Sequence, residues 1–508
     1  LKIWKSAAAD RPQAIRIHRE LHVPLPVAEI LAGLGLAELD DVRRFLNPRL
    51  ADLSDPDLLP GMAPAVRRIW RAIDAGETIA VYGDYDVDGI TSTGLLTTVL
   101  QLLGAARVVP CLPNRLEEGY GLSPAALERC IQRAHPQLLV TVDCGTSAVE
   151  AIRLAAQAGL DVIVTDHHEV SGDLPCAHAI VNPKLGGPDD LKKLAGVGVV
   201  FKVCHALVKA ARRRGRTGAE TLDLRDYLDW VAVGTVADIV PLRGENRILV
   251  RHGLAGLNRS PAAGWKALIE VAGLRQAVTA RHIAYGLGPR LNAAGRISNA
   301  ERALELLLTG DPRRAREIAL ELDGANRERH EIEALIVREA QAEIDAAHDP
   351  SAQFGLVVGR NGWHPGVIGI VASRLAARYR RPAVVIAFDE NGVGRGSCRS
   401  IEGYHLLQGL EQCREHLLTF GGHEMAAGLE IEHRCLDAFR ARFNAVAALE
   451  LASRDLRPVQ PVHAWLDLNQ VDGELLEILD QLEPFGQDNP KPVFAARGVR
   501  LAQPPRIV

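Results

Sequence analysis

Three short apolar runs, each ending in acid, constrain this chain more than any other feature. Thr78-Ile-Ala-Val-Tyr82 leads through Gly83 into Asp84, Asp86 and Asp88; Leu138-Leu-Val-Thr-Val142 leads into Asp143; Val162-Ile-Val-Thr165 leads into Asp166, His167 and His168. Such runs, alternating with stretches of helical periodicity, are the pattern of βαβ units around a parallel sheet. In an open parallel sheet the carboxyl ends of the strands share one edge, so acids about 60 and 20 residues apart in sequence converge in space. Oxygen ligands joined by imidazole suit divalent Mn or Mg and point to metal-assisted chemistry on an oxyanion.

At 508 residues the chain should hold more than one domain. No apolar run approaches the roughly 18 residues that a membrane helix needs, and the first residues lack a basic region followed by an apolar stretch and a cleavage site. A cytoplasmic location is the expectation. The eight cysteines form no C-x-x-C pair, so neither a zinc ribbon nor a disulfide framework is indicated, and most are expected to be small core residues. With a net charge of −4, any anionic polymer must be held by a local basic groove. Leu1 in place of Met implies a processed chain or a fragment.

The pattern predicts a helical extension over 1–62 and an α/β domain over 63–260. In the latter, strands are expected at 78–83, 138–143 and 161–165, with helices near 90–103, 123–134 and 147–158. The run Leu228 to Leu242, with Asp238 inside it, reads equally as strand or buried helix. Residues 261–348 read as helical, ending in a long connecting helix at 311–347. A smaller α/β domain follows over 349–450, with strands at 354–358 and 383–388, a helix at 366–380 and then a Gly-rich segment. Residues 458–508 begin strand-like but offer too few strands to close a barrel.

Several familiar signatures fail. Asp84-Tyr-Asp-Val-Asp-Gly89 matches the opening of a calcium loop, but Leu95 stands where such a loop needs glutamate. There is no G-x-x-x-x-G-K-[ST] phosphate loop and no G-x-S-x-G elbow, and His423-Glu-Met-Ala-Ala427 lacks the second histidine of a zinc protease helix. The plain readings stand beside the chemical ones: His167 alone would be a structural histidine, and Gly394-Arg-Gly-Ser397 and Gly421-Gly-His423 could be tight turns. Their glycines would also expose N–H groups able to cradle phosphate.

Eight motifs in order resemble the DHH phosphoesterase superfamily, and over nearly the full length the chain is similar to the RecJ single-strand-specific exonucleases. They are Gly83-Asp-Tyr-Asp-Val-Asp-Gly89, Pro113-Asn-Arg-Leu-Glu-Glu-Gly-Tyr-Gly121, Val142-Asp-Cys-Gly145, Asp166-His-His168, Gly234-Thr-Val-Ala-Asp-Ile-Val-Pro241, Gly288-Pro-Arg-Leu-Asn-Ala-Ala-Gly-Arg296, Trp363-His-Pro-Gly366 and Gly421-Gly-His-Glu-Met-Ala-Ala-Gly428. The resemblance implies an α/β fold with a parallel-sheet DHH catalytic domain. A long helix would join it, across a cleft, to a smaller α/β DHH-associated domain. Leu482-Glu-Pro-Phe-Gly-Gln-Asp-Asn-Pro-Lys-Pro492 looks like the start of an oligonucleotide-binding β-barrel, left partial at Val508.

For chemistry, the resemblance implies two divalent ions, Mn2+ or Mg2+. Asp86 would bind one, Asp88 and His167 the other, Asp143 would bridge them, and Asp238 would complete the set. Asp84, Asp166 and His168 would lie beside them as catalytic groups. Ions about 4 Å apart activate a water for in-line attack on phosphorus. Arg115, Tyr120, Arg290, Asn292, Arg296, His364, Arg395, Ser397 and His423 are the expected nucleic-acid contacts, with Arg290 and Arg296 suited to a terminal phosphate. The implied activity is 5′ to 3′ hydrolysis of single-stranded DNA to 5′-mononucleotides in repair and recombination. The implied enzyme is a monomer with no membrane, served by a single-strand-binding protein and a helicase. Two alternatives stay open: a phosphoesterase of short oligonucleotides or nucleoside bisphosphates, and an inactive DNA-binding scaffold.

Overall fold

Each acid-tipped run is a strand: β1 (Thr78–Gly83), β3 (Leu138–Val142) and β4 (Asp161–Thr165), joined by β2 (Arg107–Cys111) and β5 (Ala179–Val181). The computed structural model describes residues 2–6, 10–113, 121–170, 172–259, 261–297, 299–346, 352–500 and 503. The five strands form one parallel sheet in the order β2-β1-β3-β4-β5. Alternate residues feed its two faces. Ile79, Val81, Leu138, Val140 and Ile163 join a core with helices Val87–Leu102 and Gly196–Arg213. Ala80, Tyr82, Leu139, Val162 and Val164 join another with helices Pro124–Ala134 and Val149–Gln157. A sheet covered on both faces needs continuous apolar strands, which is why these runs do not alternate with polar residues.

The undecided run is a helix, Leu228–Ala237, whose first nine residues are all buried. A helix that is apolar on every side belongs inside a core, and it ends at Asp238. The N-terminal helices Arg11–Leu21, Leu25–Gly33 and Leu39–Leu46 share a core with Ala464, Leu466, Leu475 and Leu482 from the other end of the chain. Around that core the described C-terminal residues form helix Gly473–Gln481 and a two-residue parallel pairing of Ala464–Trp465 with Phe494–Ala495. No helix among the described residues is long and apolar enough to cross a membrane.

The chain divides into two compact units, Ser6–Gly324 with Pro461–Val508, and Leu1–Lys5 with Ala325–Gln460. Helix Pro312–Asp345 contributes residues to both. The second unit holds β6 (Leu356–Asn361), β7 (Ala383–Phe388), β8 (Val393–Arg399), β9 (Thr419–Gly422) and β10 (Ala426–Glu432). Their order is β9-β10-β8-β7-β6, parallel between β6 and β7 and antiparallel elsewhere. One face packs on helices Leu406–Glu411 and Leu436–Leu451. On the other, helix Ile368–Tyr379 and Ile336, Ala340 and Ile344 cover residues of β6 and β7.

The Gly-rich segments are therefore not tight turns. Gly394–Ser397 lies within β8, and Gly421 and Gly422 pair in register with Gly428 and Ala427. Their backbone N–H groups largely serve the ladder, so glycine here makes a low sheet surface rather than a phosphate-binding loop. On that surface a Cβ at Gly421 would meet nothing within 4 Å among the described residues.

Candidate metal centre

Register sets the site. Gly83 lies opposite Val142, and Val142 opposite Thr165, so the three strands end level and Asp84, Asp143 and Asp166 emerge side by side. They do so where β1 is flanked by β2 on one side and β3 on the other, the switch point at which open α/β sheets bind ligands. Asp143 has a left-handed backbone, φ 59°, which aspartate adopts more readily than most residues, and its N–H donates to Thr165 O at 3.0 Å.

Asp86 caps helix Val87–Leu102, its Oδ1 accepting from the Gly89 N–H at 3.0 Å. This cap places Asp88 in the first turn, where its carboxylate accepts from the N–H groups of Gly196 (2.6 Å) and Val197 (2.8 Å). Those donors open helix Gly196–Arg213, whose positive dipole end favours an anion. Position 196 has to be glycine, because a Cβ there would lie 2.5 Å from Asp143 Oδ1. Asp84 is buried, with Oδ1 accepting from the Tyr85 N–H at 2.8 Å.

His167 stands at the centre. Its Nε2 is 3.1 Å from Asp143 Oδ1, 3.6 Å from Asp238 Oδ2 and 3.9 Å from Asp88 Oδ2. Ligand atoms of Asp88, His167 and Asp238 lie within 4.8 Å of one another, as do those of Asp143, His167 and His168. Asp143 Oδ1, His167 Nε2 and Asp238 Oδ2 are all buried without a hydrogen-bond partner. A buried polar atom left unpaired costs about 1–3 kcal/mol. Three of them converging, two being carboxylate oxygens, fit a divalent cation, and the oxygen-rich set with one imidazole suits Mn or Mg.

Proton affinities carry the same strain. Burial, then the Asp86 charge, pushes Asp88 up to about 7. Burial, then Asp88 and Asp86, pushes Asp238 up to about 9, and burial with the surrounding acids raises Asp143 well above the carboxylate range. Burial, then His168, drives His167 down to about 3, so it offers a neutral nitrogen. Such crowding of acids is relieved by positive charge, and a metal supplies it.

Asp166 is a brace. Its Oδ1 lies 2.7 Å from His168 Nδ1 and accepts from the His167 N–H (2.8 Å), while Oδ2 accepts from the Thr146 N–H (2.9 Å). Against the opposing effect of burial, the His168 and Thr146 hydrogen bonds hold Asp166 well below the usual range. Burial acts to lower His168, but its hydrogen bond to Asp166 and the nearby acids raise it. Asn182 Nδ2 donates to Thr146 Oγ1 and His168 O, both at 3.0 Å. Thr146, Asn182, Gly196 and Val197 escaped sequence reading. The Gly-Val-Gly opening of a helix was the one visible signal, and its target, Asp88, is 108 residues away.

The expected nucleic-acid contacts are placed unevenly. Arg115 and Tyr120 lie outside the described residues. Arg290 is neutralised: Nε donates to Asp323 Oδ1 at 2.9 Å and Nη1 to Gly286 O at 2.8 Å, which ties it to helix Pro312–Asp345. Asn292 Oδ1 accepts from the Val87 N–H at 3.1 Å and so steadies the acid loop. Arg296 is half-buried in the same helix, Gly288–Ile297. In the second unit, His364 Nδ1 accepts from the Gly366 N–H at 3.1 Å. Arg395 is exposed, with Glu430 3.8 Å away. Ser397 accepts from Arg399 at 3.3 Å, and His423 is exposed at the end of β9.

Three family models match the chain: the DHH family N-terminal domain over residues 78–235, the DHHA1 domain over 352–449, and the RecJ OB domain over 462–508. The chain is 40% identical over 493 residues to the single-stranded-DNA-specific exonuclease RecJ of Bacillus subtilis, covering 96% of this chain and 61% of that protein. It is 40% identical over 464 residues to its counterpart from Haemophilus influenzae, covering 88% and 80%. The crystal structure of Thermus thermophilus RecJ in complex with Mn2+ superposes with a TM-score of 0.82 at 32% identity, covering 97% of this chain and 69% of that one. With a level-ended acid cluster at the switch point and this likeness running through all three matched domains, the chain belongs to the RecJ family of the DHH superfamily.

Proposed function

We propose that this chain hydrolyses single-stranded DNA from the 5′ end to 5′-mononucleotides, using Mn2+ or Mg2+, in DNA repair and recombination. The observation that carries it is the convergence of Asp143 Oδ1, His167 Nε2 and Asp238 Oδ2, buried and unpartnered, beside Asp88. RecJ of Thermus thermophilus, solved with Mn2+ and with Mg2+, supports the choice of metal. When bound, divalent ions activate water and neutralise charge on the phosphoryl group.

The chain's own residues do the rest. Asp88 is held rigid by two backbone N–H groups, and Asp86 anchors the loop before it. Asp166 orients His168 through Nδ1 and keeps it disposed to hold a proton, so that its Nε2–H can donate to a phosphoryl oxygen. Arg115, Tyr120 and Arg296 are the candidates to hold the strand near the 5′ phosphate, while Arg290 and Asn292 act as braces. Arg395, Ser397 and His423 offer a glycine-floored sheet face to the sugar-phosphate backbone. The chain acts as a cytoplasmic monomer, and its strands come from duplexes that a helicase opens and a single-strand-binding protein keeps apart.

Digestion of 5′- and 3′-labelled single-stranded and duplex DNA with each metal tests the proposal. Early release of the 5′ label from single strands alone is expected, and release of the 3′ label first would overturn it.

A further inference from the structure

The loop that follows Asp238 has no regular structure of its own, yet it adjoins a candidate metal ligand. Ile239 adopts φ 61°, costly for a β-branched residue, and is 70% exposed. Something has to hold this backbone. Part of the hold is Asn246, whose Nδ2 donates to Pro241 O (3.0 Å) and to Lys193 O (2.6 Å), three residues before Gly196.

The remainder comes from the far end of the chain. The Leu242 N–H donates to Gln487 O at 2.9 Å, and Gly486 sits so close that a Cβ there would lie 2.6 Å from Leu242 Cδ1. The turn carrying Gly486 is rigid. Gly486 and Asn489 exchange backbone hydrogen bonds of 2.9 and 3.2 Å, and the buried Asn489 amide donates to Leu482 O and Pro484 O, both at 2.8 Å. Three arginines of helix Gly244–Arg259 and its approach fasten the turn: Arg243 to Asp488 O (2.8 Å), Arg247 to Leu482 O (3.0 Å) and Gln481 O (2.7 Å), and Arg251 to Glu483 O (2.7 Å). A segment with no chemistry of its own is thus fixed, bond by bond, against the loop that presents Asp238.

We propose that residues 482–489 are a positioning clamp for the Asp238 loop, so that the C-terminal segment sets the affinity of the catalytic centre for its metal. The clamp rests on the nuclease reading of that centre. Outer-shell supports of this kind change metal affinity by about 10- to 100-fold.

The test is Mn2+ titration of the full chain, followed by the electron paramagnetic resonance signal of the free ion, with thermal unfolding in parallel. Gly486→Val, which drives a side chain into Leu242, should weaken Mn2+ binding about tenfold. Asn489→Ala, which loosens the turn without adding bulk, should move it the same way and carries the test if Gly486→Val does not fold. Phe439→Ala removes a buried side chain from the core of the second unit, which shares no residue with the clamp or with Leu242. It should lower Tm and leave Mn2+ affinity within about twofold, since sites with no shared partners act independently. Folded Asn489→Ala with wild-type affinity, or an equal loss in Phe439→Ala, would overturn the clamp alone. A wild-type chain that takes up no Mn2+ would overturn the metal reading, and the clamp with it.

Discussion

Asp143 sits where three pressures meet: burial, the Asp88 and Asp86 charges, and a left-handed backbone. Its folded pKa, like those of Asp88 and Asp238, lies above the unfolded value of roughly 4. Between the two values the folded state binds more protons than the unfolded state, so stability falls as pH rises. The slope is about 1.4 kcal/mol per pH unit for each such proton. Without metal, Tm should therefore decline from about pH 5 to about pH 9, and saturating Mn2+ should remove most of that decline. Asp143→Asn tests the same cluster, since asparagine also tolerates the left-handed backbone. It should stabilise the metal-free chain at pH 8 while lowering turnover at least a hundredfold, roughly, by analogy with lost ligand support. Calorimetry across pH and a nuclease assay check both, and a metal-free Tm that rises with pH would show that the acids do not crowd as described.

Helix Gly244–Arg259 shows what an element can do beyond packing. Arg247 is buried, has its guanidinium over the Phe45 ring at 3.8 Å, and donates to Phe45 O as well as to the C-terminal carbonyls. Burial, then the Arg251 charge, pushes it down to about 9, so it remains charged at neutral pH with carbonyls in place of a counter-ion. Arg247→Met would take this donor from the Phe45 and Gln481 carbonyls in a closed core, while Leu482 O keeps the Asn489 amide. The expected loss is about 2–4 kcal/mol, measured by urea unfolding, with the N-terminal helices and residues 461–508 losing protection from hydrogen exchange together. A loss below about 1 kcal/mol would mean that apolar packing, and not this arginine, joins the two ends of the chain.

For the whole molecule, a net charge of −4 offers DNA no general attraction, so the proposed affinity for it has to come from local groups. The glycine-bearing strands of the second unit's sheet are one such place, with exposed Arg395 two residues from the half-buried Ser397 and Gly428 opposite Ser397. Arg395→Ala should weaken binding of single-stranded DNA uniformly across sequences. It should also reduce the slope of log affinity against log salt by about 0.7, the value for one phosphate contact on a single strand. Fluorescence anisotropy at several salt concentrations reads it, and an unchanged slope would remove Arg395 from the interface.

Strands that are buried on both faces write themselves as unbroken apolar runs, and acids at their ends can converge nowhere but at one edge of the sheet. The parallel sheet and the convergence of Asp88, Asp143 and His167 at its edge were therefore legible in the sequence, as was helix Pro312–Asp345 from its period. Leu228–Ala237 was not, because a helix buried all round loses the periodicity that distinguishes it from a strand. The glycines of 394–397 and 421–422 suggested turns by local preference, and long-range pairing made them strands. Arg290 pairs with Asp323, 33 residues on, a contact that no local pattern around Arg290 announces. The supports of the centre, Gly196 to Asp88 and Gln487 to Leu242, join residues 108 and 245 positions apart. Beyond the glycine that Asp143 imposes at position 196, no local pattern records such contacts, since a hydrogen bond from a backbone N–H leaves no mark on the identity of the residue that donates it.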